Sequence, residues 1–251
     1  MPKKKPPVTF TEADMFLPIK NFFSSIGYSV NAEVKGCDIA LIKNDELLLV
    51  ELKKSFNITL LYQAMNRKKD ASQVYVAIPR PKKVRDKNYR AMLNILTKLE
   101  IGLITVAMDS PTHAVAIVLQ PPAIPGNKLL KGREKMLREI YGRTNDTNIG
   151  GSSKIKIMTA YREKSIKIAC ALHTLGEHAT APQLRRNYSC PPDTYQVMKR
   201  NFYGWFKFLG NAMFELTTKG KKMLISNEFA DTVKYYMDEM KMMRTDLNEC
   251  K

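Results

Sequence analysis

An α/β fold, a mixed sheet flanked by helices and followed by a smaller helical domain with a hairpin, is what the sequence predicts. Three observations predict it. Strand-like apolar runs and helix-period stripes alternate in the order αβββαβ and then αββ across the first half of the chain. Stretches rich in Pro, Gly and Ser at 120–126 and 142–153 then interrupt the pattern. Beyond them, short helical segments, two short strands around Gly210-Asn211 and a tail helix take over.

Thr9 and Glu12 fit an N-cap and its N3 partner, and the stripe Met15, Phe16, Ile19, Phe22, Phe23 follows. Pro18 inside this stretch predicts a later start or a kink, and Gly27 an end. Residues 28–34 alternate as a strand does. The runs 38–42 and 47–53, joined by Lys43-Asn44-Asp45-Glu46, predict a hairpin. A helix is expected over 55–69 from Leu60, Leu61, Ala64 and Met65, and a short buried strand over 73–78. Met92, Leu93, Ile95 and Leu96 predict a helix over 88–99, and two more strands are expected at 102–107 and 114–119. A short basic helix is expected over 129–141.

The chain beyond reads as a helix at 165–175 capped by Gly176, a short helix at 182–186 and a third at 194–203. Two strands within 205–216 follow, and after Thr217-Thr-Lys-Gly220 a long helix runs to about Met243. Three short helices, a hairpin and a tail helix have the pattern of a winged helix-turn-helix. The expected divisions are 1–125, a basic linker at 126–155, and 156–251. No internal repeat is visible.

Lys plus Arg number 41 against 24 Asp plus Glu, a net charge of +17 over 251 residues. Such an excess draws a chain to polyanions, because each neutralised phosphate releases counterions. The cations are scattered over folded-looking segments instead of lining one amphipathic helix, which favours nucleic acid over a membrane surface. No apolar run approaches the ~20 residues of a spanning helix, and the basic start Met1-Pro-Lys-Lys-Lys lacks the apolar stretch of a signal peptide. A cytoplasmic location is expected. Cys37, Cys170, Cys190 and Cys250 show no Cys-x-x-Cys spacing, and His113, His173 and His178 complete no zinc pattern. Free reduced thiols are expected, with His173 and His178 at surface or cap positions.

The run 47–53 carries the chemistry. Leu48, Val50 and Leu52 share one face of a strand, so Glu51 and Lys53 share the other. The first face is aliphatic and belongs in a core, so two charges project together from an otherwise apolar strand. If Asp38 lies beside them on the hairpin partner, two carboxylates and an ammonium converge. Two carboxylates ~4 Å apart repel by about 4 kcal/mol at an effective dielectric of 20, a strain that a divalent cation relieves. Oxygen-only ligands with a free lysine suit Mg²⁺, with Mn²⁺ able to substitute. Glu-x-Lys alone is a common string and by itself favours a solvated ion pair at a strand edge; the upstream Asp38, the hairpin spacing and the apolar strand reverse that in favour of the metal site.

Gly36-Cys-Asp38 followed by Val50-Glu-Leu-Lys53, within an αβββαβ order, resembles the PD-(D/E)xK (restriction-endonuclease-like) nuclease superfamily. Glu51-Leu-Lys-Lys-Ser-Phe-Asn57, Leu61-Tyr-Gln-Ala64, Val74-Tyr-Val-Ala-Ile-Pro79, Met158-Thr-Ala-Tyr-Arg162 and Tyr203-Gly-Trp-Phe206 are similar to a bacterial family of PD-(D/E)xK-type phosphodiesterases of unknown function. The resemblance implies that Asp38 and Glu51 hold metal and that Lys53 is the catalytic lysine. Cys37 stands where the motif has proline, as in many superfamily members. Two further residues are carried over: Glu12 as a metal ligand from the first helix, against its capping role, and Gln63 as the glutamine that some branches place beside the lysine. Glu33 is read as an ion-pair partner of Lys35.

In the C-terminal part, 194–203 would be a recognition helix with Gln196, Lys199 and Arg200, flanked by Arg185, Arg186 and Lys207. The cations would meet phosphates and Gln196 a base edge. Trp205, Phe206 and Phe208 are expected in the core of the wing. The expected function is Mg²⁺-dependent hydrolysis of nucleic acid, DNA first, with no membrane partner and with homodimer formation open. The alternatives are a non-catalytic DNA-binding regulator on a nuclease-like scaffold and a nuclease acting on RNA.

Overall fold

The computed structural model describes residues 10–84, 86–122, 132–144, 148–151, 156–176 and 178–249, with side chains to 244. It divides into two compact units: 1–141 with 146–157, and 142–145 with 158–251. Thr9 and Cys250, singled out above, lie outside the described residues.

The first unit runs through a 3-10 turn Ala13–Met15, α1 (Phe16–Ser25), β1 (Ser29–Val34), β2 (Cys37–Lys43), β3 (Glu46–Leu52), α2 (Ile58–Arg67), β4 (Gln73–Pro79), α3 (Lys87–Lys98), β5 (Gly102–Val106), β6 (Val115–Leu119) and α4 (Arg133–Tyr141). The strands stand side by side in chain order as one six-stranded sheet. The pairs β1–β2 and β2–β3 are antiparallel, β3–β4 and β4–β5 are parallel across α2 and α3, and β6 returns antiparallel. This is the mixed sheet that the alternation of periods predicts. Asn44 and Asp45, with φ of 47° and 61°, make the two-residue turn of the β2–β3 hairpin. Its register sets Ile39 opposite Val50 and Ala40 opposite Leu49.

β3 is central, and both of its faces are buried. Leu48, Val50 and Leu52 pack with Met15, Phe16, Ile19 and Phe23 of α1. Leu47 and Leu49 pack with Leu60 and Ala64 of α2, Met92 and Leu96 of α3, and Met136 and Ile140 of α4. The aliphatic face is in a core as expected. The opposite face is a second core instead of a solvated edge, because helices cover both sides of a strand with parallel connections. Met136 and Ile140 also build α4 into the first unit, although it lies in the stretch read as linker.

α1 begins at Phe16, so Pro18 falls in its first turn, where a missing N–H breaks no helical bond. Glu12 stands at the N-cap of the 3-10 turn without a side-chain bond to it, and the Asp14 carboxylate accepts from the Thr11 N–H and hydroxyl. α2 is shorter than the expected 55–69, because the Asn57 side chain caps it by accepting from the Leu60 N–H at 2.9 Å.

The second unit comprises α5 (Ala160–Leu175), β7 (His178–Thr180), α6 (Ala181–Tyr188), α7 (Thr194–Arg200), β8 (Phe206–Gly210), β9 (Met213–Leu216), α8 (Thr218–Leu224), a 3-10 turn Asn227–Phe229 and α9 (Ala230–Glu249). β7, which sequence reading missed, joins the hairpin in an antiparallel sheet of order β7-β9-β8. α7 stops three residues before the expected Tyr203. Asn201 turns left-handed (φ 45°), and its amide both donates to and accepts from the Phe206 backbone. The expected long tail helix is broken: Ser226 is extended and its hydroxyl bonds the Met223 carbonyl, ending α8. Trp205 and Phe206 are core residues as expected, but Phe208 is 45% exposed. Cys37, Cys170 and Cys190 are free and buried, and His173 and His178 are exposed. Among the described residues, no helix is long and apolar enough to cross a membrane.

Candidate active site

The site is assembled at the carboxyl end of β3. Past Leu52 the backbone stays paired, the Lys53 N–H donating to the Ala77 carbonyl at 3.1 Å. Asp38 lies on the same face of β2 as Ala40, and the hairpin register, continued one residue past Ile39 and Val50, brings Asp38 to the level of Glu51. Its Oδ2 accepts from the Leu52 N–H at 2.7 Å, tying the carboxylate to the backbone beside Glu51. The charge of Asp38 acts directly on Glu51 and raises its carboxyl pKa. Asp38, Glu51 and Lys53, inferred from spacing, therefore come together.

Glu51 is fully buried. Its Oε1 accepts from Arg67 Nε at 2.6 Å, while the other guanidinium nitrogens donate to the carbonyls of Lys35 and Gly36. Arg67 thus clamps the turn that precedes Asp38 to the acid that follows it. Glu51 Oε2 is also buried and receives no hydrogen bond. Burial, then the charge of Asp38, pushes the Glu51 carboxyl up to about 7 against the pull of Arg67. Burial also raises Asp38, opposed by the Leu52 N–H and Lys53. The Cys37 thiol, buried between these charges, is held well above its usual range and offers no thiolate at neutral pH.

Lys53 Nζ sits 3.0 Å from Glu12 Oε2, with both side chains a quarter exposed. Glu12 adds repulsion at Asp38. Among the described residues, however, no three His, Cys, Asp or Glu side chains form a metal-binding group. The structure places Glu12 on the lysine. Gln63 lies on α2, half-buried, with an Oε1 that has no donor. The segment 148–151 closes over the other side. A Cβ on Gly150 would stand 2.6 Å from the Asp38 carbonyl oxygen, and the Gly151 N–H donates to Glu33 Oε1 at 2.9 Å. Lys35, read as the partner of Glu33, has its Nζ 3.7 Å from Glu139.

The donor set fits a divalent cation. Two converging carboxylates, one with a buried oxygen lacking any donor, are satisfied together only by a proton or a cation between them. Sequence reading missed Arg67 and the Gly150-Gly151 cover. No local signal marks Arg67: its role follows from the burial of Glu51, which packing decides, since a buried acid calls for a cation and α2 ends in one.

The nucleic-acid candidates of the second unit are all at its surface. Arg185 and Arg186 are exposed on α6, and Gln196, Lys199 and Arg200 on α7. Lys207 pairs with Glu215 at 2.9 Å, and Lys199 Nζ lies 4.5 Å above the Phe208 ring.

Searches of curated proteins and of solved structures return no match. Comparison with protein families returns one over residues 104–223, from β5 into α8, so that Asp38, Glu51 and Lys53 lie outside the matched stretch. Those residues match the family described as "Putative PD-(D/E)XK phosphodiesterase (DUF2161)", the superfamily to which the Asp38, Glu51 and Lys53 motif points.

Proposed function

We propose that the first unit is a metal-dependent phosphodiesterase that hydrolyses the nucleic-acid backbone, DNA first, with Asp38 and Glu51 as ligands of Mg²⁺. The observation that carries this reading is the buried, donorless Oε2 of Glu51 beside a second carboxylate. When bound, the cation supplies charge at the phosphoryl oxygen and lowers the pKa of a bound water. Asp38 is oriented for this by the Leu52 N–H and Glu51 by Arg67. Lys53 holds its ammonium at the mouth of the site, where it orients the attacking water or neutralises charge on the phosphate. Glu12 positions that ammonium. Gln63, from α2, is a secondary candidate for contacting the water or the phosphate.

The second unit, with two helices α6 and α7 ahead of a hairpin, is read as a winged helix that brings the first unit to DNA. Arg185, Arg186 and Arg200 form no ion pair among the described residues and are free for phosphates, and Gln196 for a base edge.

Two measurements test the proposal. Calorimetry with Mn²⁺ is expected to show binding that Asp38→Ala and Glu51→Ala remove. Parallel assays with Mg²⁺ on duplex, single-stranded and branched DNA and on RNA are expected to show cleavage that the same variants and Lys53→Ala abolish. Unchanged cleavage by Glu51→Ala overturns the mechanism. DNA binding without metal binding makes the protein a regulator on a nuclease scaffold.

A further inference from the structure

A second cleft opens where the site ends. It lies past the carboxyl ends of β3 and β4, has a volume of about 510 Å³, and borders the first turn of α3. Four cations line it: Lys54, Arg80, Lys82 and Lys83. All four are exposed, and none forms an ion pair among the described residues. The one acid of the lining, Asp86, is occupied in capping α3 through the Tyr89 N–H; the four cations outnumber it, and a polyanion relieves their mutual repulsion.

The interior of the cleft is different. Phe56 and Tyr89 are half-buried in its wall, over the buried Ile78 and Met92. All four belong to the same core as Leu47 and Leu49, on the face of the sheet that carries Glu51. The cleft is also next to the site along the chain. Lys54 follows Lys53, and Ile78 and Pro79 follow Ala77, whose carbonyl holds the Lys53 N–H. At ~3.3 Å per strand residue, its start is within about one nucleotide of Lys53.

We propose that this cleft takes a nucleotide of a single-stranded nucleic acid adjoining the phosphate at Asp38 and Glu51. Its phosphate lies on the cationic rim, and its base lies against Phe56 and Tyr89. The inference rests on the reading of the site as a phosphodiesterase and narrows its substrate class. A duplex presents phosphates but keeps its bases stacked within, so it satisfies the rim and leaves the aromatic wall unused. An unpaired strand satisfies both.

The test is fluorescence anisotropy of the full chain with a labelled oligothymidylate and with a duplex of equal length, without divalent cation. The Arg185→Ala/Arg186→Ala background keeps cations of the second unit from masking the result. Lys82→Glu/Lys83→Glu is expected to weaken the single strand roughly tenfold or more and to flatten its salt dependence by about 0.7 per lost phosphate contact. Phe56→Leu and Tyr89→Leu are expected to weaken it roughly fivefold or more each, as when one stacked base is lost. Duplex affinity is expected to change less than twofold in the aromatic variants. No loss in the lysine variant, or equal losses for single strand and duplex in the aromatic ones, overturns the proposal. If an aromatic variant melts early, the exposed lysine pair decides. The assay involves no hydrolysis, so a wild-type protein that binds the strand but never cleaves it counts against the proposed function and not against the cleft.

Discussion

Glu51 in the first unit and Glu163 in the second are the most deeply buried glutamates among the described residues, and the two are provided for in opposite ways. Glu163, at 1% exposure in α5, accepts the Thr144 N–H on both oxygens, at 3.1 and 3.0 Å, and the Tyr236 hydroxyl at 2.8 Å. It joins three segments of the second unit, and every oxygen has a donor. Glu51, at 0%, has Arg67 on one oxygen, nothing on the other, and a second carboxylate alongside. A buried acid whose oxygens are all satisfied holds a structure together. One left with an unsatisfied oxygen and a like charge is costly in the resting protein and suited to a cation.

That contrast breaks most sharply in activity. Glu51→Ala and Lys53→Ala are expected to lower the Mg²⁺-dependent cleavage rate at least ~10³-fold, about 4 kcal/mol of transition-state stabilisation. Glu163→Ala, compared at a temperature where it is folded, is expected to leave the per-molecule rate within about threefold, read from single-turnover kinetics.

Next in size is a pH effect. The Glu51 carboxyl rises from 4.5 to about 7 on folding, so between those values the folded protein binds the extra proton. Stability without metal therefore falls as pH rises through that window, by up to about 3 kcal/mol. Glu51→Gln is expected to flatten this slope in urea titrations at pH 5 and 8. Mn²⁺ is expected to restore wild-type stability at pH 8, because it binds the ionised pair. A slope identical in wild type and Glu51→Gln would place the titration elsewhere.

Arg67→Ala leaves Glu51 with no donor and frees the turn before Asp38. It is expected to cost about 3 kcal/mol in metal-free protein at pH 8. Glu163→Ala is expected to cost about 2 kcal/mol, because it strands the Thr144 N–H and the Tyr236 hydroxyl, and metal does not recover this loss. Gly150→Ala forces a methyl against the Asp38 carbonyl. About 1 kcal/mol of stability is expected to go, with weaker Mn²⁺ binding in calorimetry.

Much of the first unit was legible because its signals are local. Asn44-Asp45 between two apolar runs announces the hairpin, and the i, i+2 spacing of Glu51 and Lys53 requires no partner to interpret. Boundaries were less legible where a side chain decides them. Asn201 ends α7 by bonding Phe206, and Ser226 splits the expected tail helix. The strand β7, of three residues, exists only because β9 pairs with it.

In the site the division is cleaner. The sequence by itself determined that Glu51 and Lys53 face alike, that Leu48, Val50 and Leu52 face a core, and that a hairpin could bring Asp38 alongside. Periodicity carries such information because neighbours along a chain constrain one another directly. Only the tertiary structure decided that the face of Glu51 is buried as well, beneath α2. Packing likewise gave Arg67, 16 residues away, to Glu51 and Glu12, 41 residues away, to Lys53. A charge in a strand is read from its own segment, but its cost and its partner depend on which other segments pack over it.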